Sequence, residues 1–112
     1  MTALLETVAP LAEPTPEEVI AVAAELFGVG PSRLTGRDLR RPLVRYRVVA
    51  MAATRLATTC SYPSIGRAFD GRDHTTVFSA CRRVAHIPLL LNSAHRIVEE
   101  VRRRREGLLE EL

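Results

Sequence analysis

Ser61-Tyr62-Pro63-Ser64-Ile65-Gly66-Arg67-Ala68-Phe69-Asp70-Gly71-Arg72-Asp73-His74-Thr75-Thr76-Val77 reads as a short helix, a tight turn and the opening of a second helix. Ser61 has the hydroxyl of an N-cap, and Pro63 is tolerated in a first turn because no intrahelical N–H is lost there. Ile65, Ala68 and Phe69 recur at i, i+3, i+4, which gives the first helix one apolar face. Gly71 supplies a left-handed residue to end it. Asp73 is a suitable N-cap for the next helix, and Val77, Cys81 and Val84 continue that helix as an inward stripe. Two helices joined by a three- or four-residue turn containing glycine form a helix-turn-helix.

The second helix opens on three side chains that hydrogen-bond, His74, Thr75 and Thr76. At 100° per residue, Thr75, Ser79 and Arg82 lie together and roughly opposite Val77 and Val84. A recognition helix presents its N-terminal side chains to base edges in the major groove. Polar caps and outward hydroxyls also occur on ordinary surface helices, so the pattern by itself leaves both readings standing.

The run Gly71-Arg72-Asp73-His74-Thr75-Thr76-Val77, preceded by Pro63-x-Ile65-Gly66-x-x-Phe69, closely resembles the signature of the C-terminal DNA-binding domain of the DnaA family of bacterial replication initiators. The likeness extends more weakly from about Glu17 to Val101. It implies an all-helical domain that binds short asymmetric boxes in double-stranded DNA. By that resemblance Pro63, Asp73, His74 and Thr75 touch bases and Thr76 touches the backbone. Arg47 matches an arginine of the upstream helix that also approaches the DNA. The matching loop of the family inserts an arginine into the minor groove. An ungapped count puts Leu39 there, with Arg40 the nearest substitute and Arg37 the next. Other departures are Tyr46-Arg47-Val48 where the family often has Pro-Arg-Gln, Asp70 where glycine is usual, and Arg67 where an acidic or neutral residue is common.

Upstream, Thr15-Pro16-Glu17-Glu18 is a strong helix start, with an N-cap, a proline at N1 and a capping-box glutamate at N3. Val19, Val22, Ala23, Leu26 and Phe27 are its expected apolar stripe, and Gly28, Gly30 and Pro31 end it. Residues 32–42 read as a basic loop with Arg33, Arg37, Arg40 and Arg41. Residues 43–58 read as a helix with Val44, Val48, Met51, Ala52 and Leu56 inward and Arg45, Arg47 and Arg55 as its charged positions. Downstream, the second helix of the motif should end near His86, ahead of Pro88. A final helix follows with Ala94, Ile97, Val98 and Val101 inward. Its run Arg102 to Arg105 reads as a solvated helix end or as a phosphate contact.

Composition agrees with an all-helical chain. Aromatic residues are 4% of 112 and hydrophobic residues 46%, which suits small-residue helix packing better than an aromatic-rich sandwich. No apolar run reaches the roughly 18 residues of a membrane span, and the N-terminus lacks the pattern of a signal peptide. Cys60 and Cys81 form no disulfide framework and read as reduced core or near-core residues. The net charge of +3 conceals an asymmetry: residues 1–32 hold five acids and no base, whereas residues 33–97 hold twelve arginines and three acids. Positive charge concentrated around the motif is the footprint of a polyanion partner. Every basic residue is arginine; lysine-free composition has a genomic explanation as well as the guanidinium's grip on phosphate.

No catalytic constellation stands out. Asp70, Asp73 and His74 are the nearest to one, but capping and first-turn contacts account for Asp73 and His74. Cys60, Cys81, His74 and His86 lack the paired spacings of a zinc site, and no phosphate-loop motif is present. The resemblance implies an ATPase elsewhere in the family, and nothing in this chain matches that module.

The sequence therefore predicts an all-α, compact helical domain with a helix-turn-helix over residues 15–112, behind a flexible arm at 1–14. The expected base contacts are Pro63, Asp73, His74, Thr75, Arg47 and Arg40. The expected backbone contacts are Thr76, Arg37, Arg41, Arg55, Arg72, Ser79 and Arg82. The expected partner is double-stranded DNA, with no cofactor, metal, nucleotide or membrane. The expected role is regulation of replication initiation or transcription by a cytoplasmic, nucleoid-associated protein, in a host cytoplasm if phage-encoded. The alternative is a helical interaction module that binds the initiator or another protein. Self-association through the terminal leucines of the last helix is a further possibility.

Overall fold

The structure, a computed structural model, describes residues 13–111. Six helices follow one another: α1 (Pro16–Phe27), α2 (Pro31–Thr35), α3 (Arg41–Ala57), α4 (Tyr62–Ala68), α5 (His74–His86) and α6 (Pro88–Glu111), with no strand among the described residues. Most of the expected arm lies outside the described residues. Its last two residues pack on the body: the Glu13 carboxylate accepts from the backbone and hydroxyl of Thr59, and Pro14 lines a cleft with Leu56 and Ala57.

α1 starts on the expected capping box. The Thr15 hydroxyl accepts from the Glu18 N–H at 3.2 Å, and the Glu18 carboxylate accepts from the Thr15 N–H at 3.4 Å. Gly28 closes the helix in the left-handed region, φ 72°, where a residue without Cβ has no steric penalty. The buried face is Val19, Ile20, Val22, Ala23 and Ala24; Leu26 points outward, 49% exposed. Phe27 is only half-buried and stacks on Tyr46 at 4.2 Å between ring centroids, which ties the end of α1 to α3.

α3 is the central helix. Its buried residues Leu43, Arg47, Ala50, Met51 and Thr54 recur at i, i+4, i+7, i+8, i+11, a helical stripe with an arginine inside it. The expected stripe was rotated from this one. Val44 and Val48 are half-buried and Leu56 is 50% exposed, whereas Met51 and Ala52 are buried as expected. The cause is Arg47, which occupies a core-facing position that a charge was not expected to fill. The helix also begins two residues earlier than expected, at Arg41, and the segment read as loop contains the single-turn α2. Against α3 pack Phe69 and Ile65 of the motif, Val77 and Val84 of α5, and Ala94, Ile97 and Val101 of α6, all within one cluster. Burying the valine, isoleucine and phenylalanine side chains among these contributes roughly 1.5–3 kcal/mol each. Thr54 and Thr58 are buried with their hydroxyls donating to carbonyls four residues back, at 2.8 Å each. Cys60 and Cys81 are free and half-buried.

The arginine run of α6 forms ion pairs. Arg104 pairs with Glu100 at 2.9 Å and Glu25 at 2.8 Å, and Arg105 with Glu18 at 2.6 Å, so acidic α1 is strapped to two arginines of α6. No described helix is long and apolar enough to cross a membrane.

Candidate nucleic-acid interface

The site is built on α4, α5 and the turn between them. The Ser61 hydroxyl accepts from the Ser64 N–H at 3.2 Å, which starts α4 and leaves Pro63 exposed in its first turn. Phe69 caps α4 at its C-terminus, and both Asp70 (φ 61°) and Gly71 (φ 68°) then take the left-handed conformation. Two successive residues at positive φ turn the chain sharply enough for the Arg72 N–H to donate back to the Gly66 carbonyl at 2.8 Å. That approach requires glycine at position 66. A Cβ there would stand 2.1 Å from the Arg72 carbonyl oxygen.

α5 then starts at His74. Asp73 occupies the N-cap position with extended backbone, but its carboxylate caps no backbone N–H, unlike the expected side-chain cap. Instead one oxygen accepts from the Thr75 hydroxyl at 2.7 Å and the other lies 2.9 Å from His74 Nδ1. The Thr75 hydroxyl bond, with the adjacent imidazole, holds the Asp73 carboxyl below its ordinary value. His74, Thr75, Thr76, Ser79 and Arg82 are all exposed, while Val77, Ala80 and Val84 face the core. Cys81, expected in that inward stripe, is half-buried. The tip and outer face of α5 thus present an imidazole, three hydroxyls and a guanidinium, with the Asp73 carboxylate orienting the first two side chains.

The flank of α4–α5 is aromatic. Phe78, 47% exposed, meets Tyr62 edge-on at 5.5 Å. The Arg55 guanidinium lies 4.4 Å from the centre of the Tyr62 ring and donates to the Cys60 carbonyl at 2.7 Å. Arg55 is exposed but has a defined seat on the body.

The basic loop beside the turn is held by arginines from two sides. Arg47, 4% exposed, donates to the carbonyls of Leu34 at 2.7 Å, Asp38 at 3.0 Å and Arg33 at 3.2 Å. Arg72, half-buried, donates to the carbonyls of Thr35, Gly36 and Phe69. Burial lowers the pKa of both guanidiniums from its ordinary value. Arg37 bridges loop and turn, donating to the Asp70 carboxylate at 2.9 Å and its carbonyl at 2.6 Å. Arg40 chelates Asp38 at 2.7–3.1 Å, which holds that carboxyl down at about 2. Arg41 is exposed with no ion-pair partner among the described residues, and Leu39 is 81% exposed.

The expected contact residues therefore divide by position. Pro63, Asp73, His74, Thr75, Thr76, Ser79 and Arg82 are exposed on α4–α5, and Arg37, Arg40 and Arg41 are exposed on the loop at its side. Arg47 and Arg72 face inward instead. The reason is the loop itself, whose carbonyls have no helical partners and are satisfied by these two guanidiniums. Gly66 and Asp70 were not singled out as functional. A glycine inside the seven-residue α4 and an aspartate directly before the turn glycine Gly71 were the available signals. No cluster of three or more metal-ligating side chains occurs among the described residues.

Residues 16–84 match the family described as Bacterial dnaA protein helix-turn-helix. The chain is similar to the Chromosomal replication initiator protein DnaA of Thermus thermophilus, 41% identical over 75 residues, which cover 67% of this chain and 17% of that protein. The protein of the same name from Picosynechococcus is 36% identical over 90 residues, covering 74% and 20%. That from Corynebacterium jeikeium is 43% identical over 72 residues, covering 64% and 12%. The chain spans only 12–20% of the length of these relatives. The matched segment contains the whole of α1 to α4 and nearly all of α5, so the chain belongs to the DNA-binding helix-turn-helix family of bacterial DnaA.

Proposed function

We propose that this chain binds double-stranded DNA sequence-specifically, at sites resembling the boxes of replication initiators, and regulates replication initiation or transcription by occupying them. The observation that carries the reading is the tip of α5: His74 and Thr75 exposed, held by Asp73, and continuous with Thr76, Ser79 and Arg82 along the outer face. In this reading α5 enters the major groove, where Thr75 and His74 meet base edges. Thr76, Ser79 and Arg82 meet sugar and phosphate. Pro63 abuts the same groove from α4. Arg37, Arg40 and Arg41 face the neighbouring minor groove and its phosphates, and Arg55 contacts the backbone at the other flank.

Arg47 and Arg72 have a different part. They fix the loop carbonyls and so set the position of Arg37, Leu39 and Arg40 relative to α5. The protein acts without chemistry of its own and without nucleotide, among the DNA-associated proteins of the cytoplasm. A mobility shift with a duplex carrying a replication-origin box, competed by a scrambled duplex of the same length, tests the reading. The box duplex should shift at concentrations that leave the scrambled one free. Equal competition by both would contradict it.

A further inference from the structure

A second surface lies beside the reading face. A groove of about 600 Å³ runs between the first half of α3 and the junction of α5 with α6. Its apolar lining includes Leu39, Ile87 and Leu89, which are 81%, 39% and 79% exposed. Its rim carries Arg41, Arg45 and Arg83, all exposed and without an ion-pair partner among the described residues. Exposed leucines this close together mark a contact surface, and phosphate gives them nothing to pack against.

The same molecule displays the complementary shape. α6 is 24 residues long, about 36 Å at 1.5 Å per residue. Val101 is its last buried residue, and from Glu106 to Glu111 every residue is exposed. Leu108 and Leu109 are 63% and 47% exposed there. On the helical wheel Glu106 and Glu110 flank Leu109, while Glu111 flanks Leu108 on the other side. None of these three acids has an ion-pair partner among the described residues. Glu106 and Glu110 share the i, i+4 spacing of Arg41 and Arg45 on the groove's α3 wall.

We propose that the final turns of α6 of one copy seat in the α3–α5–α6 groove of a second copy, leucines inward and glutamates on the arginine rim. The contact is heterologous, groove to tail, and so extends from copy to copy. Neighbouring DNA sites occupied by this protein would then be bound cooperatively.

Sedimentation velocity of the full chain, without DNA, tests this independently of the DNA reading. The wild-type chain should sediment faster as concentration rises. A groove variant, R41E/R45E/R83E, and a tail variant, E106R/E110R/E111R, should each self-associate roughly tenfold more weakly or less, since three surface ion pairs become repulsions. Leu108→Asp should act like the tail variant and reports the apolar half of the contact. Mixed in equal amounts, the groove and tail variants should recover association that neither shows alone, because the intact tail of one meets the intact groove of the other and the reversed tail carries the charge that the reversed groove attracts. Circular dichroism establishes that each variant is folded, and if the groove variant is not, Leu108→Asp and the tail variant decide. A wild-type chain that stays monomeric to about 1 mM, tail variants that associate like wild type, or a groove variant whose only loss is DNA affinity would each overturn the proposal.

Discussion

The Asp73 carboxylate engages both side chains at the tip of α5, accepting from the Thr75 hydroxyl and lying beside His74 Nδ1. Under the proposed function, two side chains held in advance lose less freedom on binding DNA than two free rotamers. His74→Ala or Thr75→Ala should therefore cost about 1–3 kcal/mol on a box duplex and much less on a scrambled one. Circular dichroism of these variants should stay native, because neither side chain packs in the core. Arg47 gives the opposite expectation. Arg47→Met leaves three loop carbonyls without their donor, and urea denaturation should show a loss of roughly 2–4 kcal/mol. An unchanged urea midpoint with lost box preference would make Arg47 a base contact after all. The exposure of His74, Thr75 and Thr76 was legible in the sequence because a turn glycine followed by a polar helix start has a local signature. The inward turn of Arg47 was not, because an arginine on a helix reads as solvent-facing unless the distant carbonyls it satisfies are known.

Among the elements, the turn between α4 and α5 decides the geometry. Gly66 lets the backbone of Arg72 approach α4, and its missing Cβ is the space that the Arg72 carbonyl occupies. Because the obstructing atom is backbone, it has no rotamer to yield. Gly66→Ala should destabilise the domain by roughly 2–4 kcal/mol in the same denaturation assay. A variant as stable as wild type would mean that α4 and α5 are free to repack. Helices with strong ends were legible: α1 by its capping box, α4 by Ser61 and Pro63, the end of α5 by Pro88. The short α2 was not, since its five residues carry no hydrophobic period and depend on Arg47 and Arg72 for their carbonyl partners.

At the scale of the whole molecule, charge is distributed in two ways. Acidic α1 is neutralised by the end of α6 through Glu18, Glu25, Arg104 and Arg105, while residues 33–97 hold twelve arginines against three acids. Arg102 and Arg103 form the expected solvated helix end, but Arg104 and Arg105 form an intramolecular strap to α1, a long-range pairing that local patterns do not reveal. Two carboxyls among those held below their ordinary values also contribute to stability in acid. Asp38 is held at about 2 by hydrogen bonds from Arg40, and Glu100 at about 2 by those from Arg103 and Arg104. Their folded pKa values lie below the unfolded ones, so their contribution is complete above about pH 4 to 5 and fades as the pH falls toward about 2. Asp38→Asn and Glu100→Gln should each flatten the loss of stability across that acid window, with little change in its slope near neutrality. Binding of the intact chain should obey a complementary rule. Affinity for any duplex should fall with salt by about 0.9 in log K per log salt for each phosphate neutralised. The preference for a box over a scrambled duplex should survive, because base contacts release no counterions. Competition fluorescence anisotropy of the wild-type chain, with box and scrambled duplexes across a salt series, measures both quantities at once. The proposed function predicts a preference of about 10³-fold or more at physiological salt, with both affinities falling steeply and nearly in parallel. A preference near one, or affinities indifferent to salt, would contradict it.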